Sequence, residues 1–173
     1  MTPEFSRAYR LDSLGGVKQV DIAANAEERA ALAQRFGLQE LAELHAQVQV
    51  MPKAAGIDVA GHMTARAMQS CVVTGEAVPT QIAQDFTVRF VAPDAAPDAE
   101  EIELSAEECD VMEHDGSAID IGEAVAQTLG LALDPYPRGP NADARLREAG
   151  VLAEDEAGPF GALAALKDKL RGQ

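Results

Sequence analysis

The stretch Leu44-His45-Ala46-Gln47-Val48-Gln49-Val50 alternates apolar and polar residues without a break. Successive side chains of an extended chain point to opposite faces, so this run predicts a strand with one buried and one wet face. Pro52 ends or edges it, because a proline has no N–H to give to a ladder. Two later runs repeat the pattern. Ile57, Val59, Gly61, Met63, Ala65 and Ala67 alternate with Asp58, His62, Thr64 and Arg66, and Ile82, Phe86, Val88 and Phe90 share one face of a third run. Three such neighbours predict an antiparallel sheet with one solvated face. The connection from Cys71 to Pro79, which contains Thr74-Gly75-Glu76, reads as the turn between the second and third strands.

Working outward toward the N-terminus, Phe5 to Leu11 and Val17 to Ile22 are β-prone runs separated by Leu14-Gly15-Gly16, and are expected to form a first pair of strands. Asn25 followed by Glu28 is a capping-box pattern, and Gly37 suits a helix end, which predicts a helix over Ala26 to Phe36. Toward the C-terminus, Ala92 to Pro97 is a breaker, and Glu101-Ile-Glu-Leu-Ser offers a short edge strand. Asp120 and Glu123 then open a second amphipathic helix from Ile121 to Ala132, which stops before Asp134-Pro135. Pro159 begins a short final helix through Leu163, Leu166 and Leu170. The expected architecture is α+β: an antiparallel sheet of about five to six strands, open or closed into a barrel, with two or three packed helices. One domain is expected over residues 1–137, with an acidic insert at about 92–118. Residues 138–173 are expected to be an extended, partly mobile tail ending in the short helix.

The chain has 173 residues, 47% of them apolar, enough for a real core. It contains no apolar run of spanning length and no secretory-signal pattern at its start, so the expected location is the cytoplasm, with no membrane partner. Cys71 and Cys109 form no CxxC pair and are expected to be reduced thiols. The net charge of −15 is unevenly placed. Between Arg89 and Arg138 there is no Lys or Arg, while Asp94, Asp98, Glu100, Glu101, Glu103, Glu107, Glu108, Asp110, Glu113, Asp115, Asp120, Glu123 and Asp134 all fall there. Such a field repels phosphate, and it fits either a basic partner or a purely solubilising role.

Candidates for catalysis are scattered. His45 and His62 fall on the polar phase of their strands, as ordinary surface residues do. Cys109 and His114 come close in sequence and define a hydrolase reading, weighed against an ordinary acidic loop. Zinc requires paired ligands at tight spacing and no second pair exists, so no metal is expected. Neither GxxxxGK[ST] nor GxGxxG after a strand occurs, so no nucleotide and no cofactor is expected. The expectation is a non-enzyme. Arg138, Arg145 and Arg147, and again Lys167, Lys169 and Arg171, are sparse basic clusters, and aromatic residues that could stack bases make up only 4% of the chain.

The order of several blocks resembles the YceD-like family of bacterial large-ribosomal-RNA accumulation proteins. The blocks are Gly61 to Pro79 with Cys71, Glu76 and Pro79, the strand Ile82 to Phe90, the acidic span, Ile119-Asp120-Ile-Gly-Glu123, Leu133-Asp-Pro135-Tyr136-Pro137-Arg138, and Pro159-Phe-Gly-Ala-Leu-Ala-Ala-Leu-Lys167. The resemblance implies a role in synthesis, processing or stability of the large-subunit ribosomal RNA, with no catalytic residue to carry over. Many members carry CxxC at the turn and further cysteines near the C-terminus. This chain has Cys71-Val72-Val73-Thr74 and no cysteine from Gly139 to Gly150, so a zinc clip is not carried over, and Pro135 to Arg138 is expected to substitute packing for ligation. The expected partner is a basic ribosomal protein or assembly factor, met through Glu100, Glu101, Glu103, Glu107, Glu108 and Asp110, with large-subunit RNA contacted indirectly. The alternative is direct RNA binding by Arg66, Arg89 and the arginines after Pro137.

Overall fold

A computed structural model describes residues 3–54, 56–92 and 110–151. A five-stranded sheet runs in the order β2 (Lys18–Ala23), β3 (Glu40–Lys53), β4 (Gly56–Ser70), β5 (Ala77–Val91) and β6 (Asp110–Glu113). Two short strands, β1 (Ala8–Arg10) and β7 (Ala118–Asp120), pair separately. Three helices accompany them: α1 (Ala26–Phe36), α2 (Ile121–Ala132) and α3 (Ala142–Glu148).

The alternation around Val48 has the expected result. Leu44, Ala46, Val48 and Val50 are buried, and Met63, Ala65 and Ala67 face the same core from β4. Val88 and Phe90 are buried from β5, with Ile82 and Phe86 packed against them in part. A register shift between Leu41 and Glu43 explains how Leu41 and Leu44, of opposite parity, both point inward. One extra residue in a strand inverts its phase. Leu32 of α1 and Ala124, Val125 and Leu129 of α2 complete the core with Phe5, Ile119 and Ile121. Each fully buried Leu, Val or Phe here contributes about 1.5–3 kcal/mol of transfer free energy.

Both long helices carry the caps their sequences announce. Asn25 accepts from the Glu28 N–H while Glu28 accepts from the Asn25 N–H, and Gly37 closes α1 in the left-handed region at φ 64. Asp120 caps α2 by accepting from the Glu123 N–H at 3.2 Å, and it also accepts from the Arg7 N–H at 2.8 Å and the Ser6 hydroxyl at 2.6 Å. One carboxylate thus starts a helix and anchors the N-terminal segment. Gly122 follows in tight quarters, since a Cβ there would collide with the Phe5 carbonyl and the Arg7 N–H.

Three expectations need correction and one alternative is settled. The sheet is mixed rather than antiparallel throughout: β2–β3 and β3–β4 are antiparallel, but β6 runs parallel to β5, with Val88 opposite Asp110 and Val91 opposite Glu113. Parallel pairing carries no local sequence signal, and Asp110-Val-Met-Glu is too short to show an alternation. The sheet is open rather than barrel-like, because β2 and β6 lie at its two ends without pairing to each other among the described residues. The two N-terminal runs do not pair with one another; the first joins β7, the second joins β3, and Leu11–Ser13 is a single 3-10 turn. Finally, Ala142–Glu148 is a helix where extended chain was expected. The edge strand expected at Glu101 to Ser105 and the helix after Pro159 lie outside the described residues.

By internal contacts the chain divides into two compact units, Met1–Gln69 with Pro79–Pro135, and Ser70–Val78 with Tyr136–Gln173. The first holds the core just described. The second gathers the turn after β4 with the segment that follows Pro135.

Candidate functional site

In the second unit, residues some 65 positions apart in sequence close on one another around a single thiol. The turn from Cys71 is fixed by the Gly75 N–H donating to the Cys71 carbonyl at 2.8 Å and by the Cys71 N–H donating to the Glu76 carbonyl at 2.8 Å. Gly75 takes φ 73, which a side chain would resist. The Val72 N–H donates to the Pro137 carbonyl at 2.9 Å, and Asn141 donates to both carboxylate oxygens of Glu76 at 3.2 Å. Cys71 is buried. Its sulfur accepts from the Gly139 N–H, from the Thr74 hydroxyl and from the Thr74 and Val73 N–H groups, which together lower the thiol to about 7. Convergent donors favour a thiolate for the same reason that they favour any anion.

This knuckle collects part of the motif that the sequence singled out. Cys71 and Pro137 are buried within it and Glu76 ties it to Asn141, while Tyr136 and Arg138 are exposed beside it. Arg138 lies 3.6 Å from Asp143 of α3. Pro135, Pro79 and Asp120 belong to the first unit. There Pro79 occupies a part of β5 that β6, opposite only Val88 to Val91, does not reach. Gly139 and Asn141 escaped the sequence reading. Their part is played by a backbone N–H and one amide, which leave no periodicity to read.

The wet face of the sheet is a mosaic of paired charges. Glu43 stands opposite Arg66 in register and accepts from its Nε at 2.7 Å. Asp58 is buried although it sits on the polar phase of β4, because Arg89 Nε reaches one oxygen at 2.6 Å and Lys53 Nζ the other at 2.6 Å. Arg89 first and then Lys53 hold its carboxyl at about 2. His45 lies 2.5 Å from Asp21, and His62 lies 2.6 Å from Asp85. Both histidines are therefore satisfied surface residues. Among the described residues, no group of three or more His, Cys, Asp or Glu side chains is arranged to hold a metal.

The acidic stretch is divided in its use. Glu100, Glu101, Glu103, Glu107 and Glu108 lie outside the described residues, as does Cys109. Asp110 and Glu113 are exposed on β6. Beyond them the carboxylates serve the fold: Asp115 accepts from the Ser117 hydroxyl and N–H and from the Ala118 N–H, which lowers it to about 2, Asp120 caps α2, and Glu123 takes two bonds from Arg35. His114, the histidine of the hydrolase reading, accepts from the Gly116 N–H through Nδ1.

The chain therefore has the geometry of an α+β protein with a paired-charge sheet face, a thiol-centred knuckle and an acidic stretch entering at the sheet edge. It belongs to the YceD family, described as large ribosomal RNA subunit accumulation protein, whose model matches residues 59–167, more than half of the chain. The match begins within β4 and takes in the knuckle and the acidic stretch, while β1 to β3 and α1 precede it. No curated protein and no solved structure matches the chain. Among the described residues, no helix is long and apolar enough to cross a membrane.

Proposed function

We propose that this chain is a non-enzymatic accessory factor in the accumulation of large-subunit ribosomal RNA, acting in the cytoplasm through protein contact made by its acidic stretch. The family description supplies the process. The contact mode is supported chiefly by the run from Arg89 to Arg138, which holds thirteen of the chain's 29 acidic residues and no cation between its ends. Within it Asp110 and Glu113 are exposed on β6, and no ion pair among the described residues engages either one. A basic ribosomal protein or assembly factor fits such a surface, and long-range attraction would speed and orient the encounter.

The charges on the sheet argue against RNA as the direct ligand. Arg66 and Arg89 are the cations on which an RNA-binding face would depend, and each already faces a carboxylate, Glu43 and Asp58 respectively. A phosphate would have to displace these partners in a protein of net charge −15. The test is capture from lysate at low and high salt with the full chain as bait. A basic ribosomal protein or a precursor particle should be retained at low salt and released at high salt. A variant with Glu100, Glu101, Glu103, Glu107, Glu108 and Asp110 changed to their amides should retain neither. Equal capture by that variant would defeat the acidic-contact reading, and a gel shift of large-subunit precursor RNA by the isolated protein would favour direct binding through Arg66, Arg89, Arg138, Arg145 and Arg147.

A further inference from the structure

The second unit leaves apolar surface uncovered. A groove of about 590 Å³ is lined by Val72 and Val73 of the turn and by Arg145, Leu146, Glu148 and Ala149 of α3 and its end. Val72 is 54% exposed, and Tyr136 and Val151 in the same small unit are 73% and 51% exposed. Half of the large apolar side chains exposed on the described surface are thus found in this unit. Isolated exposed valines need no explanation, but a concave apolar floor with charges at its rim is the form of a seat for another segment.

The direction of the chain indicates which segment. Helix α3 ends in a left-handed cap, with Gly150 at φ 80, the Gly150 N–H donating to the Arg147 carbonyl at 3.0 Å and the Val151 N–H to the Leu146 carbonyl at 2.9 Å. This double bond pattern turns a chain back across the last helical turn and brings the residue after the glycine toward the one that lines the groove, here Val151 toward Leu146. The last described residue, Val151, is therefore turned back toward Leu146, which lines the groove. The sequence beyond it offers Phe160, Leu163, Leu166 and Leu170 at intervals of one helical turn. The nine steps from Val151 to Phe160 span up to ~30 Å, ample to return across a groove one helical turn long. At the groove rim Arg145 and Glu148 pair with each other at 2.9 Å, so the apolar residues of the segment, rather than its charges, are what the groove selects.

We propose that the groove between the Val72–Val73 turn and α3 is the seat of this chain's own residues 152–173, held there chiefly by Leu163 and Leu166. The inference does not depend on the ribosomal reading, and its test needs no ribosomal component. Hydrogen exchange should be followed residue by residue in the full chain and in the full chain carrying L163D and L166D. Amides of Val72, Val73 and Leu146 to Ala149 should exchange at least about tenfold faster in the variant, while those of Leu44 to Val50 keep their rates. Equal rates at the groove in the two proteins would overturn the proposal. Protection that disappears when the wild-type chain is diluted would also overturn it, by showing that a second copy occupies the seat. From the other side, V72D in the full chain should increase proteolytic cleavage within residues 152–173, and unchanged cleavage would count against the seat even if the double variant loosened it.

Discussion

The two units of this molecule are held together by different means. In the first, Leu44, Val50, Val59, Met63, Phe90, Ile121 and Leu129 are all buried in one continuous apolar cluster, and polar contacts such as those of Asp120, Arg35 and Asp58 are arranged around it. In the second, the described residues bury little beyond Cys71, Pro137, Gly139 and Ala142, and the turn is closed by donors that converge on a sulfur and by Asn141 on Glu76. Burial spreads the stabilisation over many side chains, and truncating a large one leaves a cavity that the neighbours fill only in part. A closed ring of hydrogen bonds concentrates the load on a few groups, each of which costs the full desolvation of its orphaned partner when removed.

The largest effect should come from the apolar cluster. Phe90→Ala is expected to destabilise the whole chain by about 3–5 kcal/mol, read as a fall in the urea midpoint with the second unit lost in the same transition or earlier. A change below about 1 kcal/mol would remove the basis of the contrast. Gly122→Ala comes next, at about 1–3 kcal/mol, because its Cβ would meet the Phe5 carbonyl and the Arg7 N–H rather than a yielding side chain.

Asp58 tests whether a polar group in the first unit carries weight. Its folded pKa of about 2 lies below the ordinary carboxylate value, so its stabilisation is present above about pH 4 and is lost as the pH falls toward 2. After allowance for screening of the half-exposed Lys53 and Arg89, the loss should be on the order of 1 kcal/mol, and Asp58→Asn should flatten that part of the stability profile. A profile with the same slope in the variant would assign the acid sensitivity to other carboxylates.

Cys71→Ala should have the smallest global effect and the most local one. Amides from Val72 to Glu76 and from Gly139 to Ala142 should exchange about tenfold faster, with the midpoint of the first unit nearly unchanged. The wild-type knuckle carries its own pH signature. Its thiol is depressed to about 7, so the thiolate's contribution is present above the ordinary thiol range and fades as the pH falls through 7. Exchange at Val72 to Glu76, corrected for the intrinsic rate, should slow between pH 7 and 9 and lose that trend in Cys71→Ala.

The same contrast explains what could be read in advance. Period-two runs located β3, β4 and β5 because burial on one face imprints itself on sequence, and the Asn25–Glu28 and Asp120–Glu123 pairs announced both long helices. The pairing of β5 with β6 and of β1 with β7 left no such imprint, since β1, β6 and β7 are each only three or four residues long and are recruited through backbone groups. At the knuckle, Cys71 and Glu76 could be singled out by their place in a motif, but the donors that define their chemistry, above all the Gly139 N–H, are main-chain atoms. Arg66 and Arg89 were legible as cations on a wet face. That Glu43 and Asp58 neutralise them depends on strand register, which only the fold reveals.

The parallel pairing of β5 and β6 has a mechanical consequence for the acidic stretch. The chain leaves the sheet after Val91 and re-enters at Asp110 beside Val88, so both ends of residues 92–109 are stitched to adjacent strands a few residues apart. Anything that pulled on that span would act on a handle rather than a rope. Any force or ordering it imposes is delivered at once to Phe90 and Met112, whose side chains lie in or against the core. The entropy of bringing the two ends together has already been met by folding, so Asp110 and Glu113 are presented on a strand whose place at the edge of the sheet is already fixed.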